Sequence, residues 1–231
     1  SVVRAFRILG IPAANVRVLP STVRFQLPVA TLRQSIAHDR ARGLTPFCVV
    51  ANAGTTNTGA VDPIEELAGL CRAEDLWLHV DGAYGAAAAL CVERMKQQIG
   101  FADSLALDPH KWLFQPIEIG CVLVRDGALL ARHFAMHAEY LDNLGAGKSY
   151  LEEGMQLTRG ARALKLWMSL HIFGLDEFRA AIRRGIEIAE YVERRVRRSA
   201  VLEIATPAEL GIVTFRARGK DTDALMGICN E

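Results

Sequence analysis

The 231-residue sequence carries almost no net charge, with 27 Lys and Arg against 26 Asp and Glu. A surface so balanced offers no broad field to nucleic acid or to an acidic membrane, so neither is expected as a partner, and a small molecule is. Long apolar runs are missing too. The longest, around residues 86–92, is too short to cross a bilayer, and no charged segment followed by an apolar core marks a secretory leader. Cysteine is sparse: Cys48, Cys71, Cys91, Cys121 and Cys229 stand singly, without a Cys-x-x-Cys pair or the spacing of metal ligands. They read as buried free thiols in a reducing compartment, which points to the cytoplasm. Internal repeats and low-complexity tracts are absent. What is present, 51% hydrophobic and 23% charged residues, is ample material for a globular core. The chain opens at Ser1 without methionine and stops at Glu231 just after a helical pattern begins at Asp221, so both ends read as internal points of a longer chain.

Val2, Val3, Phe6 and Leu9 recur at helical spacing until Gly10-Ile11-Pro12 stops them. A short strand is expected at residues 16–19, and a second helix carries Leu32 and Ile36 up to Gly43. The continuous apolar run 47–53 suits a strand buried on both faces. Asp62-Pro63-Ile64-Glu65 reads as a helix start, with Asp62 as N-cap, proline at N1 and glutamate at N3. Further on, strands are expected at 76–81, 104–107 and 120–124, with a helix over 86–98. Strand and helix in alternation predict a mainly parallel sheet with helices on both faces, an α/β architecture. Residues 137–153 are polar and glycine-bearing and read as a mobile loop. Helices over 156–173 and 176–198, then strands at 201–204 and 212–216, suggest a smaller α+β domain. The expected division is therefore a large domain over residues 1–158 and the start of a small one over 159–231. The arginines of the last helix, Arg179 to Arg198, read as a solvated face, because Glu190 to Arg194 and Glu193 to Arg197 are i,i+4 pairs in the favourable order.

In an open parallel sheet, ligands gather beyond the carboxyl ends of the strands, so chemistry is sought where strands stop. Those positions hold Gly54-Thr55-Thr56, then His79-Val80-Asp81-Gly82-Ala83-Tyr84, then Asp108-Pro109-His110-Lys111-Trp112. Singly, each residue has an ordinary explanation: Asp81 as a helix cap, Lys111 as a surface charge, His79 and His110 as hydrogen-bonded core histidines. Together, a carboxylate and an amine at neighbouring strand ends suit pyridoxal 5'-phosphate. That cofactor needs an amine for its aldehyde and an acid partner for its pyridine nitrogen, since the protonated ring is an electron sink. Lys111 and Asp81 supply these. Ala83 offers a small surface against the ring, and Thr56 and His110 offer donors near the phosphate.

The run from Gly54 to Trp112, with its GTT, GAVDPI, HVDGAY and PHKW segments, resembles the group II pyridoxal-phosphate-dependent amino-acid decarboxylases, the aromatic-L-amino-acid decarboxylase family. The resemblance implies the large domain of a fold-type I PLP transferase with part of its small carboxy-terminal domain, acting as a homodimer with the active site near the interface. It implies that Lys111 bonds to the cofactor aldehyde, Asp81 pairs with the pyridine nitrogen, Ala83 packs on a ring face, Thr56 stands beside the cofactor, and His110 and Asp108 lie by the phosphate. The family often has asparagine where this chain has Asp108, and an anion beside a phosphate is unfavourable unless it turns away or is compensated. Gly82 stands where alanine is frequent, an exchange expected to matter little. Tyr140 matches the family's catalytic-loop tyrosine, which returns a proton after carbon dioxide leaves; related aldehyde synthases typically have phenylalanine there. The histidine that stacks on the other ring face, and the loop that grips the phosphate, would precede Ser1. Tryptophan directly after the lysine favours an aromatic amino acid as substrate. An aldehyde synthase or aminotransferase of the same fold, or a non-catalytic homologue, are the alternatives.

Overall fold

In the computed structural model the chain is described over residues 2–135 and 150–219. It divides into two compact units, Ser1–Pro46 and Phe47–Glu231. The first holds helices α1 (Val2–Ile8) and α2 (Val29–Ala41). Asp39 of α2 is buried and pairs with Arg17 at 3.0 Å. The strand expected at residues 16–19 belongs to neither sheet, although Val16 is extended. A strand is defined by its ladder; here Pro20 follows at once, and Arg17 is directed to the helix.

The second unit carries a four-stranded sheet in the order β1 (Cys48–Asn52), β2 (Trp77–Asp81), β3 (Ser104–Leu107), β4 (Cys121–Val124). β1, β2 and β3 run parallel, and β4 is antiparallel to β3. Val49, Ala51, Leu78 and Val80 are buried, whereas Cys48, Val50, Asn52, Trp77, His79 and Asp81 are half-buried. The strand expected to be buried on both faces is thus fully buried on one only. Helix α3 (Ile64–Ala73) packs on β1 and β2. Its buried Ile64, Leu67, Leu70 and Cys71 recur at helical spacing, each large aliphatic adding about 1.5–3 kcal/mol by burial. Burial also pushes the Cys71 thiol up to about 11, followed by the nearby Cys48. Cys71 alone fulfils the expectation of a buried thiol among the described residues, since Cys48 and Cys91 are half-buried and Cys121 is exposed; Cys229 lies outside them.

Two local expectations are corrected. α3 starts one residue later than expected, at Ile64 with Pro63 at the N-cap position, and Asp62 Oδ2 accepts the Asn52 main-chain N–H at 2.7 Å, tying the helix approach to the end of β1. The helix expected over 86–98 is broken into a 3₁₀ segment, Gly85–Leu90, and helix α4 (Glu93–Ile99). Five small residues in a row, Gly85 to Ala89, allow close packing in place of a regular amphipathic stripe.

Helix α5 (Ala128–Phe134) follows β4, and then come α6 (Arg162–Phe173) and α7 (Leu175–Arg197), and the hairpin β5 (Leu202–Glu209) and β6 (Ile212–Ala217). α7 buries Phe178, Ile182, Ala189 and Val196, and it packs on the hairpin. Its outer face carries the expected Glu190–Arg194 and Glu193–Arg197 pairs. Glu193 does more than solvate, because its Oε2 also accepts the Ala208 N–H at 2.7 Å.

The turn of the hairpin reaches the loops at the carboxyl ends of the strands. Leu210, buried and at φ 56°, lies where a Cβ on Gly54 would come within 2.7 Å of its Cδ1 and a Cβ on Gly85 within 2.8 Å. Gly211 donates its N–H to Tyr84 Oη at 3.2 Å. Tyr84 stacks on Trp112 with ring centroids 4.6 Å apart. Trp112, only 8% exposed, is closed in by Gly185 of α7 and by Gly211. A side chain at Gly85 has no room, since its Cβ would stand 2.2 Å from the Ala53 carbonyl oxygen and 2.8 Å from Gly54 Cα. Gly85→Ala is therefore expected to destabilise the protein by about 2 kcal/mol or more, read as a lowered thermal midpoint; a midpoint equal to wild type would refute this packing.

Candidate active site

Two adjacent parallel strands bring the candidate residues together. Asp81 ends β2 and pairs in register with Ala106 of β3, two residues before Asp108. The Asp81 Oδ1 accepts the Ala83 N–H at 3.1 Å, the Ala83 carbonyl accepts the Asp108 N–H at 3.1 Å, and the Asp108 carbonyl accepts the Lys111 N–H at 2.9 Å. Three consecutive hydrogen bonds thus run from the carboxylate to the lysine. On the other side of β2, the Ala53 N–H reaches the Asp81 carbonyl at 2.9 Å, so the loop after β1 is fastened to the same point. Pro109 is fully buried and holds the turn from which His110 and Lys111 project.

The Lys111 Nζ lies 3.1 Å from Asp108 Oδ2, and His110 Nε2 lies 3.7 Å from the same oxygen. Asp108 is thus turned to two basic side chains, which answers the charge problem its position raised. Both main-chain groups of Ile119 approach His110 Nδ1, the carbonyl at 2.6 Å and the N–H at 3.1 Å. The shorter contact requires a hydrogen on Nδ1, so we assign Nδ1–H as donor, with Nε2 facing Asp108. Thr56 is exposed in the turn of the 54–60 loop, which is closed by the Gly54 and Thr55 N–H groups on the Ala60 carbonyl. Ala83 is half-buried beside Asp81. Gly82 is more constrained than its expected tolerance of alanine suggests, because a Cβ there would stand 2.5 Å from that of Ala86 and 3.0 Å from Leu105 Cδ1. Tyr140 falls outside the described residues.

Behind Asp81 on the same strand lies a group that inspection of motifs passes over. Buried Ser104 receives the Trp77 indole N–H at 2.8 Å and stands 2.8 Å from His79 Nδ1. Indole only donates, so the serine hydroxyl hydrogen is left for His79, whose neutral ring then carries its proton on Nε2. Burial lowers the His79 pKa below 6.5, and the Asp81 charge opposes that shift without reversing it. Register alone could have found Ser104, as the partner of His79 across the ladder.

Trp112 lies against Tyr84, Gly185 and Gly211, so its burial anchors the lysine turn to the carboxy-terminal hairpin and α7. The donor set suits a group with an aldehyde and a ring nitrogen: an amine at one strand end, a carboxylate at the next, and a small residue between them. That combination is of the kind pyridoxal phosphate requires.

The chain belongs to the pyridoxal-dependent decarboxylase family, whose conserved-domain model matches residues 1–218. Members of the family use pyridoxal 5'-phosphate and act on amino acids. An aromatic-L-amino-acid decarboxylase of Bacillus atrophaeus is 47% identical over 222 residues, which cover 94% of this chain and 46% of that protein. A 3,4-dihydroxyphenylacetaldehyde synthase of Aedes aegypti is 36% identical, over 96% of this chain and 43% of its own length. Among solved structures, the tryptophan decarboxylase of Catharanthus roseus in complex with L-tryptophan superposes with a TM-score of 0.88 at 30% identity, covering 99% of this chain and 51% of that one. The chain spans about half the length of the curated relatives it matches. The α/β fold with a mostly parallel sheet is shared with these decarboxylases.

Two outcomes check the group behind Asp81. Ser104→Ala leaves two half-buried ring nitrogens without this partner and is expected to cost about 1–3 kcal/mol, measured by denaturant unfolding; an unchanged midpoint would argue that the bonds are not made. For His79 the folded pKa lies below the unfolded one, so the unfolded chain takes up the proton first on acidification. The stabilisation is complete above about pH 6.5 and is lost as the pH falls through the depressed folded value. Between pH 7.5 and 5.5, wild type should therefore lose more thermal stability than His79→Asn, and parallel profiles would contradict this.

Proposed function

We propose that the whole protein decarboxylates an L-amino acid, aromatic by preference, to the amine and carbon dioxide, with pyridoxal 5'-phosphate bound through Lys111. The observation that carries this reading is the hydrogen-bonded path from the Asp81 carboxylate through Ala83 and Asp108 to Lys111. Bound pyridoxal phosphate supplies the electron sink that lets the bond to the substrate carboxylate break. The chain's own residues hold and orient. Lys111 would supply the amine for the aldehyde, and Asp81 would pair with the pyridine nitrogen. Ala83 would offer a small surface to the ring, and His110 and Thr56 would offer donors to the cofactor. Asp108, which would lose Lys111 to the aldehyde, would keep His110 as its basic neighbour beside the phosphate. Tyr140 would help return a proton to the carbon left by carbon dioxide.

The aromatic preference is supported by the Bacillus and Catharanthus relatives, whose names specify aromatic amino acids. The second reading, an aldehyde synthase, has its own support in the Aedes relative; Tyr140, in place of phenylalanine, favours decarboxylation. A homodimer with the site near its interface is supported by the exposed apolar side chains of α6, among them Leu164, Trp167 and Ile172, more than a solvated helix face carries. Unpaired thiols at Cys48, Cys71, Cys91 and Cys121 support a cytoplasmic setting. Among the described residues no helix is long and apolar enough to cross a membrane. The division into domains at residues 158 and 159 belongs to the same reading.

Lys111→Ala in the full-length protein is expected to abolish borohydride-trapped pyridoxal phosphate and to lower decarboxylation by about a thousandfold or more. Cofactor trapped on a different lysine would sink the reading. Release of ammonia with the aldehyde, instead of carbon dioxide with the amine, would move the protein to the second one.

A further inference from the structure

We propose that Asp108 is the holding partner of the Lys111 side chain: whenever the amine is not bonded to carbon, the ion pair with the carboxylate keeps it at the end of β3, and so sets how readily it reaches an aldehyde. This deepens the proposed function and rests on Lys111 being the cofactor lysine.

The carboxylate is built into place. The Asp108 N–H is bound by the Ala83 carbonyl and its own carbonyl receives the Lys111 N–H, so the main chain is fixed on both sides of the residue. Gly120 leaves room for the carboxylate, since a Cβ there would stand 3.3 Å from Asp108 Oδ1. The other carboxylate oxygen, Oδ2, then lies 3.1 Å from Lys111 Nζ and 3.7 Å from His110 Nε2. Both ends of the pair are partly shielded, at 25% and 34% side-chain exposure, between the surface case, where ion pairs contribute little, and the core.

Asparagine in that position could accept a hydrogen bond but would not hold the charge. Direct use of Asp108 on a phosphate would set two anions together, whereas its use on Lys111 satisfies it. To bond to an aldehyde carbon, Nζ must present a lone pair. One proton passes from the ammonium to solvent, the C–N bond forms, and the aldehyde oxygen leaves as water. Nζ must also leave its contact with Asp108 to reach that carbon, and the pairing opposes this departure. It also offers a place for the amine to return to once a substrate amine has displaced it.

The test uses pyridoxal, which lacks the phosphate, so that repulsion between phosphate and carboxylate does not enter. Full-length protein freed of cofactor is treated with pyridoxal and borohydride, and labelling at each lysine is read by peptide mass spectrometry. Lys96, whose pairing with Glu93 is two-thirds exposed at both ends, serves as internal reference. Asp108→Asn is expected to speed labelling of Lys111 relative to Lys96 by about two- to fivefold at low salt. The gain should shrink at about 1 M salt, and Asp108→Glu should stay near wild type. Equal or slower labelling of Lys111 in a folded Asp108→Asn protein overturns the proposal and leaves the cofactor assignment standing. Labelling elsewhere with none at Lys111 overturns the cofactor assignment itself. Should Asp108→Asn fail to fold, wild-type labelling decides: no rise in the Lys111 to Lys96 ratio between low and high salt refutes the hold.

Discussion

Parallel pairing of β2 with β3 is the constraint on which the site depends. Side chains alternate along a strand, so a slip of one residue in that register would turn Asp81 to the opposite face of the sheet. The pairing of Asp81 with Ala106 keeps the carboxylate on the half-covered face, and the main-chain bonds beyond it carry the alignment to Asp108 and Lys111. The loops contribute the chemistry, but the ladder decides which groups meet. Antiparallel β4 supports the same end from the far side, because the turn before it brings the Ile119 carbonyl to His110.

Much of this was legible from residue pattern. The apolar run before Gly54, the helical spacing of Leu67, Leu70 and Cys71, and three motifs at consecutive strand ends lead to a mainly parallel sheet and to neighbouring strand ends for Asp81 and Lys111. The misses have physical causes. Residues 16–19 have strand composition, but a ladder requires a partner that composition does not reveal. Asp62 fits a capping pattern, and only the fold shows that Asn52 competes for its carboxylate. Ser104 carries no motif at all and matters through its register partner. Gly82 looked exchangeable because sequence says nothing of how near Ala86 and Leu105 come.

Asp108 illustrates how one residue can read wrongly in one dimension and sensibly in three. Beside a phosphate it is an electrostatic liability; beside Lys111 and His110 it has two basic neighbours. The i,i+3 spacing of Asp108 and Lys111 was visible from the outset. Its meaning was not, because the spacing counts only when a buried proline and a closed turn bring both side chains to the same side.

The seating of Leu210 and Gly211 against Gly54, Gly85, Tyr84 and Trp112 bears on the order in which the protein is made. A ribosome delivers the chain from its amino terminus, and structure forms in that order where contacts permit. The lysine turn and its neighbouring loops would emerge long before the segment that packs on them. A nascent chain that had exposed Lys111 but not residue 211 would therefore present the strand ends without Leu210 and Gly211 packed on them.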